Sequence, residues 1–416
     1  MSDEPGEAER AFESAINHVN SEENSVYVWR AFGASVRGKS HLLKGVPNQD
    51  AVRWVPELDG RSVLDLSIMA VADGHGQTKS VRSNVGSRLA VEVARDSLRE
   101  FEQEVRDNYA SRHGLWKALV EEELRPTIVA RWREKVEQDI ACSPFSEEEL
   151  KKIDPKSKDV GQGASHPSRF KAYGTTLLAA MVARHFIVVL QIGDGGLVAV
   201  NESGEFSRPL PDDPLNIGNE TTSLSDPDAE TRMRVRLMPL EGAIPVMLLL
   251  CTDGYENAFT STVFEKVCRD FVQELRAPGG WGTVFGYLEA CLEEASSQAT
   301  GDDATIGILF REGADYANWP EKTESTAAAR NVGNADRGSE SETQSATPAA
   351  DEEFSFNTSD FTAQSVNQAS QGEIGGVDCS GTNKKPQVPT HDLTDDGDPT
   401  ESNTADGDSV REQYDS

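Results

Sequence analysis

Five aspartates stand where an apolar segment of the chain begins or ends. Asp73, Asp194 and Asp253 each follow an apolar run and precede glycine, in VADG, IGDG and CTDG. Asp50 and Asp302 each stand just before such a run, in NQDAVRWV and GDDATIGILF. In an antiparallel sheet the end of one strand lies beside the start of its neighbour. The pattern therefore predicts that all five carboxylates lie at one rim.

Carboxylates clustered at one rim would form a metal site rather than stand without bound cations. Clustered carboxylates repel one another unless cations neutralise them. Oxygen ligands without thiolates suit Mg²⁺ or Mn²⁺, and two such ions that share a bridging water promote attack on phosphorus. Each Asp-Gly pair taken alone is also typical of a simple turn, and His75 could equally be a turn histidine.

The apolar pattern predicts the strands and helices that must position these residues. Strand-like runs lie at 26–38, 50–55, 62–72, 174–183, 185–195, 197–200, 244–254 and 304–310, and helical spacing recurs over 85–105, 115–136, 264–275 and 284–295. The strands are grouped and the helices form long excursions, without alternation of single strands and helices. This order favours an α+β layered domain.

Composition limits the class of partner. The 416 residues carry a formal net charge of −31, which argues against a nucleic-acid or anionic membrane surface, because both require a basic footprint. Cationic partners or metal ions suit this charge better. Residues 321–416 hold 20 Asp and Glu against 6 Lys and Arg, and this composition predicts a disordered acidic tail.

The cysteines and the chain start point to a reduced, soluble protein. Five cysteines without paired spacing favour neither a disulfide framework nor a zinc cluster, and Cys268 and Cys291 lie on apolar helical faces where we expect core. The start MSDEPGEAER has no basic or apolar signal region, and no apolar run approaches 18 residues. We expect a cytoplasmic protein.

The domain organisation predicted from these patterns has three parts. A polar arm covers residues 1–24, a catalytic domain covers 25–315, and the acidic disordered tail covers 316–416. Inside the catalytic domain we expect a helical insertion at about 102–140, a surface loop at 154–170 and a candidate flap at 205–240. The tail is most simply an inert extension, and a regulatory role through phosphorylation or competition with an anionic substrate is the alternative.

The order of motifs resembles the metal-dependent Ser/Thr protein phosphatases of the 2C type, the PPM family, and especially their compact bacterial branch. The matching motifs run in the family's order across about residues 25–312: PNQDA at 47–51, VADGHG at 71–76, YGTTLLAA at 173–180, IGDG at 193–195 extended by Gly196, CTDGYEN at 251–257 and DDATIGIL at 302–309. Each motif is weakly specific by itself. Together they are highly specific.

The resemblance implies a fold and a role for each matching residue. The fold is a four-layer α-β-β-α sandwich of two antiparallel sheets flanked by helices. Asp73 would bridge two Mg²⁺ or Mn²⁺ ions, and the Gly74 carbonyl would bind one of them. Asp253 and Asp302 would complete the other site, with Asp303 as the alternative to Asp302.

Three further roles follow from the same resemblance. Asp50 would hold metal-bound water, and Asp194 would act with Asp253 at a third, weaker metal site. His75 would be the general acid that protonates the Ser or Thr leaving oxygen, since a histidine titrates near neutral pH.

The chain departs from the family's pattern at three places. Gly45 occupies the position where many members carry a phosphate-binding Arg, and Lys44, His41 or Arg37 are the candidates to replace it. The usual Gly-Asp-Ser-Arg is Gly-Asp-Gly-Gly, and Gln77 stands where a second Gly is expected. None of these changes removes a primary metal ligand.

The function that the resemblance implies is hydrolysis of phosphoserine and phosphothreonine in proteins by a water bridging two metal ions. The implied partners are phosphorylated proteins and an opposing Ser/Thr kinase, and we expect a monomer with a role in signalling. The alternative is a catalytically weak phosphatase-like module that binds a phosphoprotein or a kinase. A small-molecule phosphatase is the third option.

Overall fold

Two antiparallel sheets form the centre of the molecule. The structure is a computed structural model that describes residues 28–56, 66–107, 116–154, 166–211, 213, 221–240, 244–314 and 319. Within these residues ten strands are present: β1 Val28–Val36, β2 Ala51–Val55, β3 Ser67–Ala72, β4 Leu177–Val182, β5 Phe186–Ile192, β6 Gly196–Asn201, β7 Phe206–Ser207, β8 Arg234–Pro239, β9 Pro245–Cys251 and β10 Ala304–Glu312. One sheet has the order β1-β10-β9-β6-β7, and the other β2-β3-β4-β5-β8.

Helices cover the outer faces of both sheets. In the described part of the chain they are α1 Lys39–Lys44, α2 Ser83–Asp107, α3 Trp116–Ala118, α4 Arg125–Cys142, α5 Glu147–Ile153, α6 His166–Lys171, α7 Ala229–Arg232, α8 Asp253–Glu256, α9 Ser261–Leu275 and α10 Gly280–Ala295. The π-helical turns Leu119–Leu124 and Ser296–Thr300 precede α4 and follow α10. No helix in these segments is long and apolar enough to cross a membrane.

Alternation of side chains along the buried strands creates three apolar layers. Between the sheets, Met69 and Val71 of β3 pack with Leu248 and Leu250 of β9. The opposite face of the β3 sheet packs against α2 and α4, and the opposite face of the β9 sheet packs against α9 and α10. The arrangement confirms the predicted α-β-β-α sandwich.

A glycine lets the two sheets approach closely at the centre of the sandwich. A Cβ atom built on Gly307 of β10 would lie 2.3 Å from the Met69 sulfur on β3. Any larger residue would therefore force the sheets apart or displace Met69. The thioether fills the space that the missing side chain leaves.

The predicted elements are largely confirmed. The eight strand-like runs contain described strands, the helical periodicities at 85–105, 264–275 and 284–295 fall in α2, α9 and α10, and Cys268 and Cys291 are buried in the core. The described parts of the predicted insertion at 102–140 are helical. The predicted arm at 1–24 and nearly all of the tail at 316–416 lie outside the described residues.

Two segments contain elements that the sequence did not predict. The stretch 154–170, predicted as a surface loop, ends in α6, because a short helix carries too few turns to show periodicity. The candidate flap at 205–240 contributes strands β7 and β8. Strand β8 pairs only with β5 among the described strands, and as an edge strand with partly exposed residues it lacks the apolar run of a central strand.

A buried arginine joins the helical insertion to the start of α2. Nε and Nη2 of Arg82 donate to the two carboxylate oxygens of Glu149, at 2.7 and 3.0 Å, and Nη1 donates to the Tyr173 hydroxyl at 2.9 Å. Glu149 also accepts from the Ser146 backbone amide at 2.8 Å, which closes a capping box at the start of α5. The hydrogen bonds from Arg82 hold the pKa of the Glu149 carboxyl at about 2.

We expect Glu149→Gln to destabilise the protein at neutral pH by about 1–2 kcal/mol, since it removes a charge-assisted, partly exposed pair. The native pKa of Glu149 lies below its ordinary value of 4.5, so the contribution of its charge is present above about pH 4.5 and is lost as the pH falls toward 2. Urea unfolding at several pH values measures the difference from wild type, which should shrink over that interval. Glu148→Gln, on the exposed side of the same helix, is the control, and a difference independent of pH would contradict the assignment.

Candidate active site

Strand register brings the predicted carboxylates to one end of both sheets. In one sheet Ala51 of β2 pairs with Ala72 of β3, so Asp50 and Asp73 lie at neighbouring strand ends. In the other sheet Cys251 of β9 pairs with both Ile306 of β10 and Gly196 of β6. The segments that carry Asp194, Asp253 and Asp302 therefore start or stop at the same end of that sheet.

Asp50 links the two sheets through its side chain. Its Oδ2 accepts hydrogen bonds from the hydroxyls of Thr252 at 2.8 Å and Thr305 at 2.7 Å, which belong to the other sheet. Its Oδ1 is buried and has no hydrogen-bond partner among the described residues. A buried carboxylate oxygen of this kind requires a cation, a proton or water.

Asp73 is fixed by its backbone and leaves its carboxylate for the site. Its amide donates to Thr176 Oγ1 at 3.0 Å, and its carbonyl accepts from the Thr175 hydroxyl and the Thr176 amide, each at 2.8 Å. Gly74 follows in an isolated bridge with Thr175, and a Cβ there would lie 2.7 Å from the carbonyl oxygens of Gln49 and Ser83. Only glycine fits this turn without displacing backbone.

The carboxylates are close enough to change each other's ionisation. Burial first, and then the charges of Asp50 and Asp253, hold the pKa of Asp73 well above its ordinary value. Burial likewise raises the pKa of Asp50 and of Asp253, with Asp302 adding to both and Asp194 adding to Asp253. The structure thus brings together all five predicted aspartates.

The adjacent Asp302 and Asp303 have different surroundings. Both oxygens of Asp303 are engaged, Oδ1 by the Gly38 amide and Oδ2 by the Gln49 amide, each at 2.6 Å, and the side chain is 2% exposed. The side chain of Asp302 is 56% exposed, and its Oδ1 accepts from the Asp303 amide at 2.9 Å. Asp303 ties the loops before α1 and β2 to the start of β10, whereas Asp302 is largely exposed, with its Oδ1 3.6 Å from Nε2 of His41.

His75 follows directly on the Asp73 turn. Its amide donates to the Gly174 carbonyl at 3.0 Å, and its Nε2 is buried without a hydrogen-bond partner in the described part of the chain. Burial lowers the pKa of His75, while the charges of Asp194 and Asp226 oppose that effect. The ring lies close to the carboxylates, and its Nε2 is not engaged by another described residue. A proton donor requires such an available nitrogen.

Asp194 is held at the end of β5 by a facing loop. Its amide donates to the Thr221 hydroxyl at 3.1 Å, and the preceding Gly193 amide donates to Thr222 Oγ1 at 2.9 Å. Gly193 and Gly195 both adopt positive φ, of 98° and 89°, which glycine tolerates at no steric cost. The two glycines make the sharp turn that places Asp194 at the rim.

The candidate phosphate ligands lie on and before α1. Nδ1 of His41 lies 2.8 Å from Oδ2 of Asp303, and Arg37 Nη2 donates to the His41 carbonyl at 3.1 Å. Lys44 is exposed in the last turn of the helix. His41 is thus bound to a buried carboxylate, and neither it nor Lys44 is placed against a substrate by the structure.

Sequence reasoning missed the threonines that organise the rim. Thr252 and Thr305 hold Asp50, and Thr176 receives the Asp73 amide. Each stands inside a motif already singled out, in CTDG, DDAT and YGTT, so the signal was available. What the sequence lacked was the register that brings these hydroxyls to aspartates more than 100 residues away.

The donor set fits divalent cations. Within the described residues, carboxylates at both sheets converge at one rim, Asp50 Oδ1 is buried without a partner, and the carboxylates mutually raise their pKa values. Burial of like charges at this density is unfavourable unless cations compensate it. Hard oxygen donors select Mg²⁺ or Mn²⁺ over softer metals.

Comparison with known proteins identifies a family. The sequence model of the protein phosphatase 2C family matches residues 37–293. No curated protein matches the chain. The match spans well over half of the 416 residues, and it includes the motifs around Asp50, Asp73, Asp194 and Asp253.

Several solved bacterial phosphatases are similar to this chain at low sequence identity. PppA of Pseudomonas aeruginosa, described as a regulatory component of a T6SS, is 18% identical with a TM-score of 0.42 over 68% of this chain and 97% of that chain. The catalytic domain of PstP of Mycobacterium tuberculosis, solved with two manganese ions, is 17% identical with a TM-score of 0.39 over 69% and 99%. Stp1 of Staphylococcus aureus is 15% identical with a TM-score of 0.39 over 68% and 95%.

The chain belongs to the protein phosphatase 2C family. It is a protein serine/threonine phosphatase of the metal-dependent type, and its substrates are phosphoproteins. This assignment rests on the family match and not on the structural likenesses. It confirms the family and the enzyme class predicted from the sequence.

Proposed function

We propose that the chain removes phosphate from phosphoserine and phosphothreonine in proteins with two Mg²⁺ or Mn²⁺ ions held at the carboxylate rim. The single observation that carries this proposal is the convergence of carboxylates, one of them with a buried oxygen that has no partner, beside a histidine whose Nε2 is buried without a hydrogen-bond partner in the described part of the chain. When bound, the ions would activate the attacking water that bridges them and neutralise charge on the phosphoryl oxygens. The remaining steps fall to residues of the chain itself.

We assign the ion-holding positions from the resemblance of the motifs to the family. Asp73 would contact both ions, with the Gly74 carbonyl at one of them and Asp253 and Asp302 at the other. The exposed, lightly engaged carboxylate of Asp302 supports its choice over Asp303, whose two oxygens are both occupied by backbone amides. Asp194 with Asp253 would form a third, weaker site.

Asp50 and His75 would act without displacing these ligands. Asp50 is oriented by Thr252 and Thr305, and its free Oδ1 would hold a water at the rim. His75 would deliver a proton to the Ser or Thr oxygen as its bond to phosphorus breaks, because an unprotonated alkoxide is a poor leaving group. No phosphoenzyme is required in this scheme.

The purified full-length chain should release phosphate from a phosphothreonine peptide only when Mn²⁺ or Mg²⁺ is added. Phosphate release is measured after removal of bound metal with a chelator and again after each ion is restored. Calorimetric titration of the metal-free protein should show at least two bound ions. Binding of both ions without phosphate release would favour a module that holds phosphoproteins without turnover, and failure to bind two ions would contradict the proposed site.

The cytoplasmic location, the opposing Ser/Thr kinase and the monomeric state remain predictions of the sequence. So do the inert role of the tail and the phosphate-binding role of Lys44 or His41. The proposed chemistry depends on none of these predictions.

A further inference from the structure

We propose that a basic cavity beside His75 binds an acidic or phosphorylated side chain of the substrate near the residue that is dephosphorylated. The inference rests on the proposed function and adds a specificity-determining site to it. The cavity has a volume of about 350 Å³, and its described lining includes Lys79, Lys171 and Arg232 as well as His75.

Because the cavity lies beside His75, we assign it to the part of the substrate next to the leaving Ser or Thr oxygen. His75 is one wall, whereas Asp73 and Asp253 are not among its described lining residues. A general acid must contact the leaving oxygen, which belongs to the substrate's own Ser or Thr. The cavity beside His75 is therefore where we place the continuing peptide.

The backbone brings the two lysines together from distant parts of the sequence. Lys79 lies in the turn closed by the Ser80 amide on the Gln77 carbonyl at 2.8 Å. The amide of Arg82 donates to the carbonyl of Ala172, also at 2.8 Å. Arg82 lies three residues after Lys79, and Ala172 directly follows Lys171. The buried Arg82 side chain fixes this junction, so the spacing of the lysines does not depend on a free loop.

Lys79 and Lys171 are the uncompensated charges of the cavity. Both side chains are exposed, and neither has an ion-pair partner in the described part of the chain. Arg232 is paired with Asp228 at 2.8 Å and with Asp226 at 3.4 Å, and Asp226 also accepts from the Ser223 amide. The acidic group in the lining is thus already satisfied, and the free charge is positive.

The opposite wall is a fixed row of hydroxyl groups. Ser223 Oγ donates to the Thr175 carbonyl at 3.1 Å and lies 2.9 Å from Ser225 Oγ, and Thr222 is hydrogen bonded to the Gly193 amide. All three side chains are buried or nearly so. The wall is held to the segments that carry Asp73 and Asp194, so the cavity keeps its place beside the rim.

The charge of the cavity contrasts with that of the whole chain. A formal net charge of −31 repels acidic peptides in general. A local basic site beside His75 would therefore select peptides whose acidic residue reaches that site. Ammonium groups bind phosphate and carboxylate by point-charge attraction, and the more highly charged phosphate is bound more tightly.

Binding of three sets of peptides tests the proposal with the full-length protein and Mn²⁺. Each peptide contains the phosphonate analogue of phosphothreonine, whose C–P bond is not hydrolysed. The three sets differ in one neighbouring residue, which is glutamate, phosphonoserine or glutamine. Within a set this residue is placed in turn at each of the three positions on either side of the phosphothreonine analogue. Fluorescence anisotropy gives Kd. We expect at least one position where glutamate binds about three- to tenfold more tightly than glutamine, with phosphonoserine tighter still, since each exposed ion pair contributes modestly.

Lysine variants identify the source of the preference. The double variant Lys79→Gln/Lys171→Gln should remove it, whereas Lys266→Gln, an exposed lysine on α9, should keep it. Equal Kd values for all three peptides at every position, or a preference that survives the double variant, would overturn the proposal. Phosphate release from the matching phosphothreonine peptides is measured separately, so a lysine-dependent preference without turnover would contradict the proposed function alone.

Discussion

Asp73→Asn should abolish metal-dependent phosphate release and at the same time raise the thermal stability of the metal-free protein. Burial and the charges of Asp50, Asp253 and Asp194 all oppose ionisation of this carboxylate and raise its pKa. Loss of the ligand that we propose is shared by two ions would remove several kcal/mol of transition-state stabilisation, and we expect activity to fall on the order of 10³-fold or more.

The opposite effect on stability follows from the same charges. Without metal, each neighbouring carboxylate gains when one like charge is removed, and the isosteric amide leaves the backbone hydrogen bonds to Thr175 and Thr176 in place. We expect an increase of a few degrees in Tm, since a large domain shifts by about 2–4 °C for each kcal/mol. With Mn²⁺ the order should reverse, because only wild type gains the full stabilisation of ligand binding.

Thermal unfolding with and without Mn²⁺, together with phosphate release from a phosphothreonine peptide, measures both effects. Asp96→Asn, at an exposed position on α2, is the matched control and should change neither quantity by much. A metal-free Asp73→Asn protein that melts below wild type would show that the carboxylates are not in mutual repulsion. Retained activity would remove Asp73 from the proposed metal site.

The strands were predictable because their apolar runs are buried on both faces. β3, β4 and β5 are buried along their whole length, and their continuous apolar runs predict the strands. For β3 and β5 the Asp-Gly that follows also predicts the end of the strand. The edge strand β8 has no such run, since every residue of it is at least partly exposed. Its place in the sheet depends on pairing with β5, which local sequence does not encode.

The residues of the candidate site could be predicted from the sequence, whereas most of the hydrogen bonds that hold them could not. Asp302 and Asp303 are chemically identical in the sequence, and contacts from residues far away in the chain, among them the amides of Gly38 and Gln49, distinguish them. Lys79 and Lys171 lie 92 positions apart and share no motif. Their proximity follows from one backbone hydrogen bond between Arg82 and Ala172, which is a tertiary contact with no local signal.

His75→Gln should slow release of phosphate from phosphothreonine peptides by about 10²- to 10⁴-fold, the range that a positioned general acid contributes. Glutamine is similar in size and can still form hydrogen bonds, but it cannot transfer a proton at neutral pH. The loss should appear in kcat with little change in KM, because the proton is needed only as the bond to the leaving oxygen breaks.

The leaving group provides the decisive comparison for His75. With p-nitrophenyl phosphate the departing phenolate is weakly basic and leaves without protonation, so the same variant should lose far less activity, on the order of tenfold or less. The ratio of the two losses therefore measures proton donation separately from any disturbance of the nearby carboxylates. Equal losses with both substrates would instead mean that the leaving oxygen takes its proton from another source. His75, whose ring lies within electrostatic range of Asp194, would then have a structural role beside the carboxylates.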